Sequence, residues 1–300
     1  MMENKHAYLI IAHNEPEVLG TLLALLDDGR NDVFLYIDKH SKALREEFGR
    51  FRMRQAGLYL LPDPIAVYWG DLSLVKVEFM LFEYARKQGS YAYYHLLSGV
   101  DLPIKSQDYI HDFFLKNQGK EFVGFWLDDA HHRDLMRKVL RYYLFTQYLK
   151  GGSPLVHGLC AVTRNFFLAV QKIIKYKRKH IYPAFQKGFQ WLSITQDFCD
   201  YLLENKDSVL KTYRFTLCPD EIFVQTLLWN SPFKKNIYSL DETKEGSMRM
   251  IDWGRGNPYV WQEGDVDELL SSPYLFARKF SGRSIGAVEA LKKRLLSGNG

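Results

Sequence analysis

His6-Ala-Tyr-Leu-Ile-Ile-Ala-His13 and Asp32-Val-Phe-Leu-Tyr-Ile-Asp38 decide the fold. Both runs are nearly continuous in apolar residues, the pattern of a strand buried on both faces. Between them, Asn14 is placed to cap a helix with Glu15 and Glu17 in its first turn and Leu19, Leu22, Leu23 and Leu26 along one face. Strand, helix and strand within 38 residues predict a right-handed βαβ unit with parallel strands.

Outward from this unit, the pattern continues as an α/β half. A third strand is expected near Leu58 to Leu61, before Pro62 and Pro64. Val67-Tyr-Trp-Gly70 then leads into a helix from about Leu72 to Lys87, with Leu74, Val77, Leu81 and Tyr84 as its apolar stripe. Tyr91 to Leu97 reads as a strand, Ser106 caps a helix from Gln107 to Lys116, and Glu121 to Trp126 reads as a further strand. The expectation is one domain spanning 1–300, with an α/β half to residue 126 and a second half from 127. That second half is more helical, with helices expected over 133–148, 166–176, 195–204, 219–232, 265–270 and 284–296. Gly151 to Pro154 reads as a loop, and short strands are expected at 236–240 and 248–252.

Composition narrows the function classes. Hydrophobic content of 47% and charged content of 25% are those of a soluble globular protein, and a net charge of +5 lacks the clustering of a nucleic-acid binder. Cys160, Cys199 and Cys218 lie in apolar surroundings without metal-type spacing and read as buried free thiols in a reducing compartment. The apolar start from Met1 to His13 is too short for a signal peptide or a membrane span, so a cytoplasmic location is expected. The basic run Lys175-Tyr-Lys-Arg-Lys-His180 reads more readily as a solvated helix end than as a contact with acidic lipid.

Polar residues gather after the carboxyl ends of the expected strands: His13-Asn14, Asp38-Lys-His-Ser41, Trp69-Gly70 and Ser98-Gly-Val-Asp101. Open α/β sheets bind ligands at that edge. Neither GxGxxG nor GxxxxGK[ST] is present, which argues against a dehydrogenase or a P-loop kinase. The lone Asp-x-Asp, Asp265-Val-Asp267, opens an amphipathic helix and reads as a dipole complement, so no metal site is expected. Arg278-Lys279 could neutralise a diphosphate; an edge strand with two surface cations is the competing reading. Cys218-Pro219-Asp220-Glu221 places two carboxylates in an expected first helical turn, where a dipole complement or a general base would fit.

Together these pieces resemble the core-2/I β-1,6-N-acetylglucosaminyltransferase and peptide O-xylosyltransferase family. The resemblance rests on Asp38-Lys-His-Ser41, Trp69-Gly70, Leu97-Ser-Gly-Val-Asp-Leu-Pro-Ile104, Cys218-Pro-Asp-Glu221, Ile251-Asp-Trp253 and Phe276-Ala-Arg-Lys-Phe280, in that order along nearly the whole chain. It implies a GT-A type fold, a UDP-sugar donor, inversion at the anomeric carbon and no divalent metal. By the same resemblance Glu221 is the catalytic base and Arg278 and Lys279 face the diphosphate, with Arg249 ranked below Arg278 and Arg255 as another upstream choice. Asp38 would contact uracil or ribose, with His40 beside it. His13, Trp69, Ser98, Gly99 and Asp101 would line the donor pocket, and Trp191 and Gln190 the acceptor side. Xylosyltransferase-like members carry an acid where this chain has Gln190. Expected partners are a UDP-sugar, N-acetylglucosamine first and xylose as the alternative, and a glycan or glycolipid acceptor. Peripheral contact with the inner face of a bacterial membrane and a catalytically silent carbohydrate-binding role are further readings.

Overall fold

The computed structural model describes residues 5–297, apart from 151, 152, 180 and 242. The expected loop residues Gly151 and Gly152, His180 of the basic run and the first four residues lie outside the described residues. The chain opens with β1 (His6–Ala12), α1 (Pro16–Leu25) and β2 (Asn31–Ile37), and both strands are buried along their whole length. They pair in parallel from His6↔Asn31 to Ala12↔Ile37. The helix start differs from the sequence expectation. Glu15, in the left-handed region, takes the cap position and Pro16 fills the first turn, where its missing N–H is no loss.

Then follow α2 (Lys42–Gly49), β3 (Gly57–Leu60), α3 (Leu72–Gln88), β4 (Tyr93–Ser98), β5 (Asp101–Pro103) and α4 (Gln107–Lys116). Asp71 and Ser106 cap α3 and α4 through their side chains. The short α2 escaped the sequence reading because only Leu44 and Phe48 of its eight residues are buried. The expected strand at 121–126 is not formed; its start makes only isolated bridges, Glu121 to Ile237 and Phe122 to Ser193.

The second half holds α5 (Asp129–Val139), α6 (Pro154–Ile173), β6 (Leu192–Thr195), α7 (Gln196–Glu204), α8 (Lys206–Tyr213), α9 (Phe223–Trp229), α10 (Thr243–Ser247), β7 (Arg249–Ile251), α11 (Val266–Ser271), β8 (Phe276–Arg278) and α12 (Ile285–Leu296). The helix expected at 133–148 starts earlier, because Asp128 accepts from the N–H groups of Ala130 and His131, and stops after Val139. That expected at 166–176 begins at Pro154, capped by Ser153. The run 219–232 is not one helix: Pro219–Glu221 is a 3-10 turn, separated by Ile222 from α9. A 3-10 turn, Pro232–Asn236, runs into the stretch expected as a strand.

The main sheet has the order β3-β2-β1-β4-β6, with β6 antiparallel to β4 and the other pairs parallel. A second sheet, β5-β8-β7, stands beside it. The α/β class and mostly parallel sheet are as the sequence predicts, and β8 is the middle strand of its sheet, not an edge. β5 comes from before residue 127 and completes a sheet of later strands; β6 comes from after it and joins the first sheet. One face of the main sheet packs on α3, α7 and α9 through Phe79, Phe82, Phe198 and Phe223; the other packs on α1 and α12 through Leu19, Leu22, Val288 and Leu291.

Candidate active site

Beyond the carboxyl end of β1, the β5–β8 pairing sets Asp101 opposite Arg278. Asp101 is buried, 2% exposed, and accepts from Ser98 N at 2.7 Å, Ser98 Oγ at 2.8 Å and Arg278 Nη1 at 2.8 Å. Arg278 also donates to Ser98 Oγ and lies 4.6 Å above the Trp191 ring. Gly99 lets this turn lie against β1, since a Cβ there would come within 2.8 Å of Ala12 Cβ. The backbone from Arg278 to Phe280 is held from both sides: Trp261 Nε1 and N donate to Arg278 O and Lys279 O at 3.0 and 3.1 Å, and Phe280 N donates to Val100 O at 2.9 Å. Lys279 has no acidic partner among the described residues.

These residues edge an open cleft of about 620 Å³ lined by His13, Glu15, Arg278, Lys279, Ser281 and Arg283, among others. Such a volume suits a nucleotide-sized ligand. Desolvation and the Arg278 charge lower the His13 pKa against the pull of Asp38 and Glu15, favouring the neutral ring. Glu15 accepts from Ser281 Oγ and Gly282 N at 2.9 and 2.7 Å, tying the start of α1 to the cleft wall. The role of Glu15 and the presence of Arg283 were not visible in the sequence, where Glu15 reads as a first-turn acid and Arg283 falls just before the helix expected at 284–296.

The second cluster centres on the Pro219–Glu221 turn. Glu221, with its side chain 32% exposed, lies 3.2 Å from Lys187 Nζ and 3.6 Å from Lys138 Nζ. Both lysines also reach Asp134 Oδ2, at 3.0 and 3.1 Å, and both are nearly enclosed. Arg137 joins them at 2.7 Å from Asp134 Oδ1, so three cations surround the two carboxylates. Burial and the nearby charges leave the Asp134 carboxyl well below its ordinary range, with the lysines outweighing desolvation. Asp220 behaves differently. Its Oδ1 is enclosed without a hydrogen-bond partner, and burial, then the Glu221 charge, raise its pKa. Asp220 is therefore no simple helix-end acid, and the partly exposed carboxylates here are Glu221 and Asp134, at 32% and 28%. Glu78, fully buried on α3, is likewise pushed upward by burial and by Asp220.

Residues 187–191 join the two clusters. Lys187 contacts Glu221, Gly188 N donates to Glu221 O at 2.9 Å, Gln190 Nε2 donates to Glu78 Oε1 at 2.7 Å, and Trp191 carries Arg278. Four residue steps span at most roughly 14 Å. Gly188 is required at its place, since a Cβ would fall 1.8 Å from Gly124 O. Trp69 is 55% exposed beneath Lys150 Nζ, 3.8 Å from its ring centre. Gly70, at φ +74°, accepts from Cys218 N at 2.9 Å, so the Trp69-Gly70 turn abuts the turn that presents Glu221.

Other sequence candidates lie elsewhere. Asp38 binds the His40 and Val67 N–H groups at 2.8 and 2.7 Å and lies 2.9 Å from His40 Nδ1; it fixes the loop after β2 while His40 stays exposed. Arg249 is a correction: it is 2% exposed, donates to Ser247 O, Leu192 O and Ser193 Oγ, and lies over Phe276, so no surface is left for a diphosphate. Arg255 is engaged by Asp252, Asp265 and Glu268. Of the cysteines, Cys199 and Cys218 are buried but Cys160 is only half-buried. Arg178 of the basic run is buried against Thr216 and Tyr142, unlike a solvated helix end. Among the described residues, no three His, Cys, Asp or Glu side chains are grouped to hold a metal ion.

Comparison with known proteins gives the family of the chain. The profile of the Core-2/I-Branching enzyme family matches residues 6–266, and the chain belongs to that family. Xylosyltransferase 2 of Canis lupus familiaris is 23% identical over 296 residues, covering 91% of this chain and 31% of its own. The xylosyltransferase of Ciona intestinalis is 21% identical over 292 residues, covering 91% and 32%. The chain thus spans about a third of the length of these curated relatives. Apo mouse xyloside xylosyltransferase 1 aligns with 93% of this chain and 99% of its own, at 10% identity and a TM-score of 0.39.

Proposed function

We propose that the protein is an inverting glycosyltransferase of GT-A type that moves a sugar from a UDP-sugar to a hydroxyl of a glycan or glycolipid, forming a β-linkage without a divalent metal. The observation that carries this reading is the 187–191 segment, which ties the solvent-facing Glu221 to the cleft of Arg278 and Lys279. Family membership supports the reaction class.

Glu221 takes the proton of the acceptor hydroxyl as that oxygen attacks the anomeric carbon. The bond to the UDP oxygen breaks on the opposite face. Arg278, Lys279 and Arg283 offset the charge left on the diphosphate, as fixed charges that need no reorganisation during the reaction. Lys138 and Lys187 hold Glu221 in place, and Asp134 pairs with both. N-acetylglucosamine is the first donor sugar to test. Xylose is the second, favoured by the names of the relatives. The reaction is assigned to the cytoplasm.

Glu221→Gln tests the reading: transfer should fall about 10²–10⁴-fold while UDP binding persists. Near-normal turnover would remove Glu221 from its role. A UDP-release screen over donor sugars separates the two donors, and absence of turnover with every sugar would favour a silent binding protein. Full activity in EDTA is expected; loss of activity restored by a divalent ion would overturn the metal-free route.

A further inference from the structure

We propose that α6 and the cleft between α5 and the end of α6 form a docking surface for an anionic membrane. Leu155, Leu159, Val162, Phe166 and Ile173 follow one another at spacings of four, three, four and seven residues, so they share one face of α6. That face points outward: the five side chains are between 69% and 87% exposed. Ile174 and Tyr176 extend it past the helix end. A helix on a protein that meets only water normally turns such a stripe inward.

Charge selects the occupant. From residue 135 to 196 the sequence contains no Asp or Glu, and it contains eleven Lys and Arg. Six cations, Arg133, Arg137, Arg141, Lys172, Lys175 and Lys177, line a cleft of about 450 Å³ beside the end of the apolar stripe. Arg137 is also paired with Asp134 at 2.7 Å; the others have no ion pair among the described residues. An apolar strip flanked by an anion-receiving cleft matches acyl chains beneath phosphate headgroups. A second copy of this chain would bring the same positive surface against itself, and an isologous pair repeats every like charge.

The placement bears on the acceptor, and this step rests on the glycosyl-transfer reading. α5 gives Lys138 to Glu221 on its inner side and Arg133 and Arg137 to the cleft, with Arg141 just past its end. A docked protein therefore holds the Glu221 cluster one helix away from the lipid surface. An acceptor sugar carried on a membrane lipid fits that arrangement.

The test is co-sedimentation of the full chain with vesicles of phosphatidylcholine alone and with one-third phosphatidylglycerol. Binding is expected only to the anionic vesicles. Lys172→Gln/Lys175→Gln/Lys177→Gln should weaken it by about five-fold or more per charge removed. Leu159→Ser/Phe166→Ser should weaken it at least tenfold. Both variants should keep UDP affinity and thermal midpoint, because every altered side chain is exposed. Equal binding to both vesicle types, no binding, or anionic binding untouched by both variants overturns the proposal. So does light scattering that shows a dimer dissolved by Leu159→Ser/Phe166→Ser, which would assign the face to a second copy. Binding to inorganic phosphate without vesicle binding overturns it too. These readouts need no turnover, so they stand apart from the test of Glu221.

Discussion

Arg278 and Lys279 are neighbours in sequence, yet alanine substitutions should separate them. Arg278→Ala strips the cation from Asp101, a carboxylate 2% exposed, leaving it only Ser98. Breaking a buried pair from one side costs about 3–5 kcal/mol, and the lost stacking on Trp191 adds about 1 kcal/mol. For a chain of this size that lowers the thermal midpoint by on the order of 10 °C. Lys279 has no acidic partner among the described residues, so Lys279→Ala should change stability by about 0.5 kcal/mol or less. It should still remove a charge-assisted contact to the diphosphate, about 1.5–3 kcal/mol, which is about 10–100-fold in UDP affinity. Thermal melts and titration calorimetry with UDP read the two effects separately. Unchanged UDP affinity in Lys279→Ala, or equal melting losses in the two variants, would refute the reasoning.

Three further outcomes follow from the geometry. Glu121 is buried against Thr195 N and Oγ1, at 2.9 and 2.6 Å, and burial raises its carboxyl to about 7. Its stabilising contribution is complete below the unfolded value and is lost as pH rises through about 7, about 3 kcal/mol in all; Glu121→Gln should flatten that slope in urea melts between about pH 5 and 8, and an unchanged slope counts against it. Gly188→Ala drives a Cβ into Gly124 O and should cost about 3 kcal/mol or more, with loss of transfer as Lys187 and Gln190 shift; wild-type melting and turnover would contradict the tie between the clusters. Gly70→Ala sets an L side chain at φ +74° against Leu149, Cys218 and Leu217, and should cost about 1 kcal/mol or more in the same melts.

β1, β2 and α3 were legible because burial on two faces, or on one helical stripe, leaves a periodicity in the residues themselves. The strand-end turns were legible for the same reason, as polar residues ending apolar runs. Glu121 to Trp126 misled because an apolar run records burial and not pairing, and Gly124 there serves a close backbone approach. α6 reaches back to Pro154, where Gly151 to Pro154 reads as a loop, because Ser153 caps the helix and Pro154 fits its first turn. The lysines around Glu221 could not be foreseen: Lys138 and Lys187 come from separate segments, and only the fold brings them to one carboxylate. Arg249 shows the reverse error, a cation read as a ligand contact that the core claims for carbonyls and a ring.

The exchange of strands between the two halves sets an order in time. Asp101 must wait for Arg278, 177 residues later, and His95 of β4 for Ser193 of β6, 98 residues later. At a synthesis rate of roughly 5–20 residues per second, the first delay is roughly 10–35 s. Until β6 emerges β4 is an open edge, and through the longer interval the cleft lacks Arg278, Lys279 and Arg283. A nascent chain released before β8 emerges lacks the cationic cleft, however well its first sheet has formed. β8 therefore completes the oldest part of the pocket.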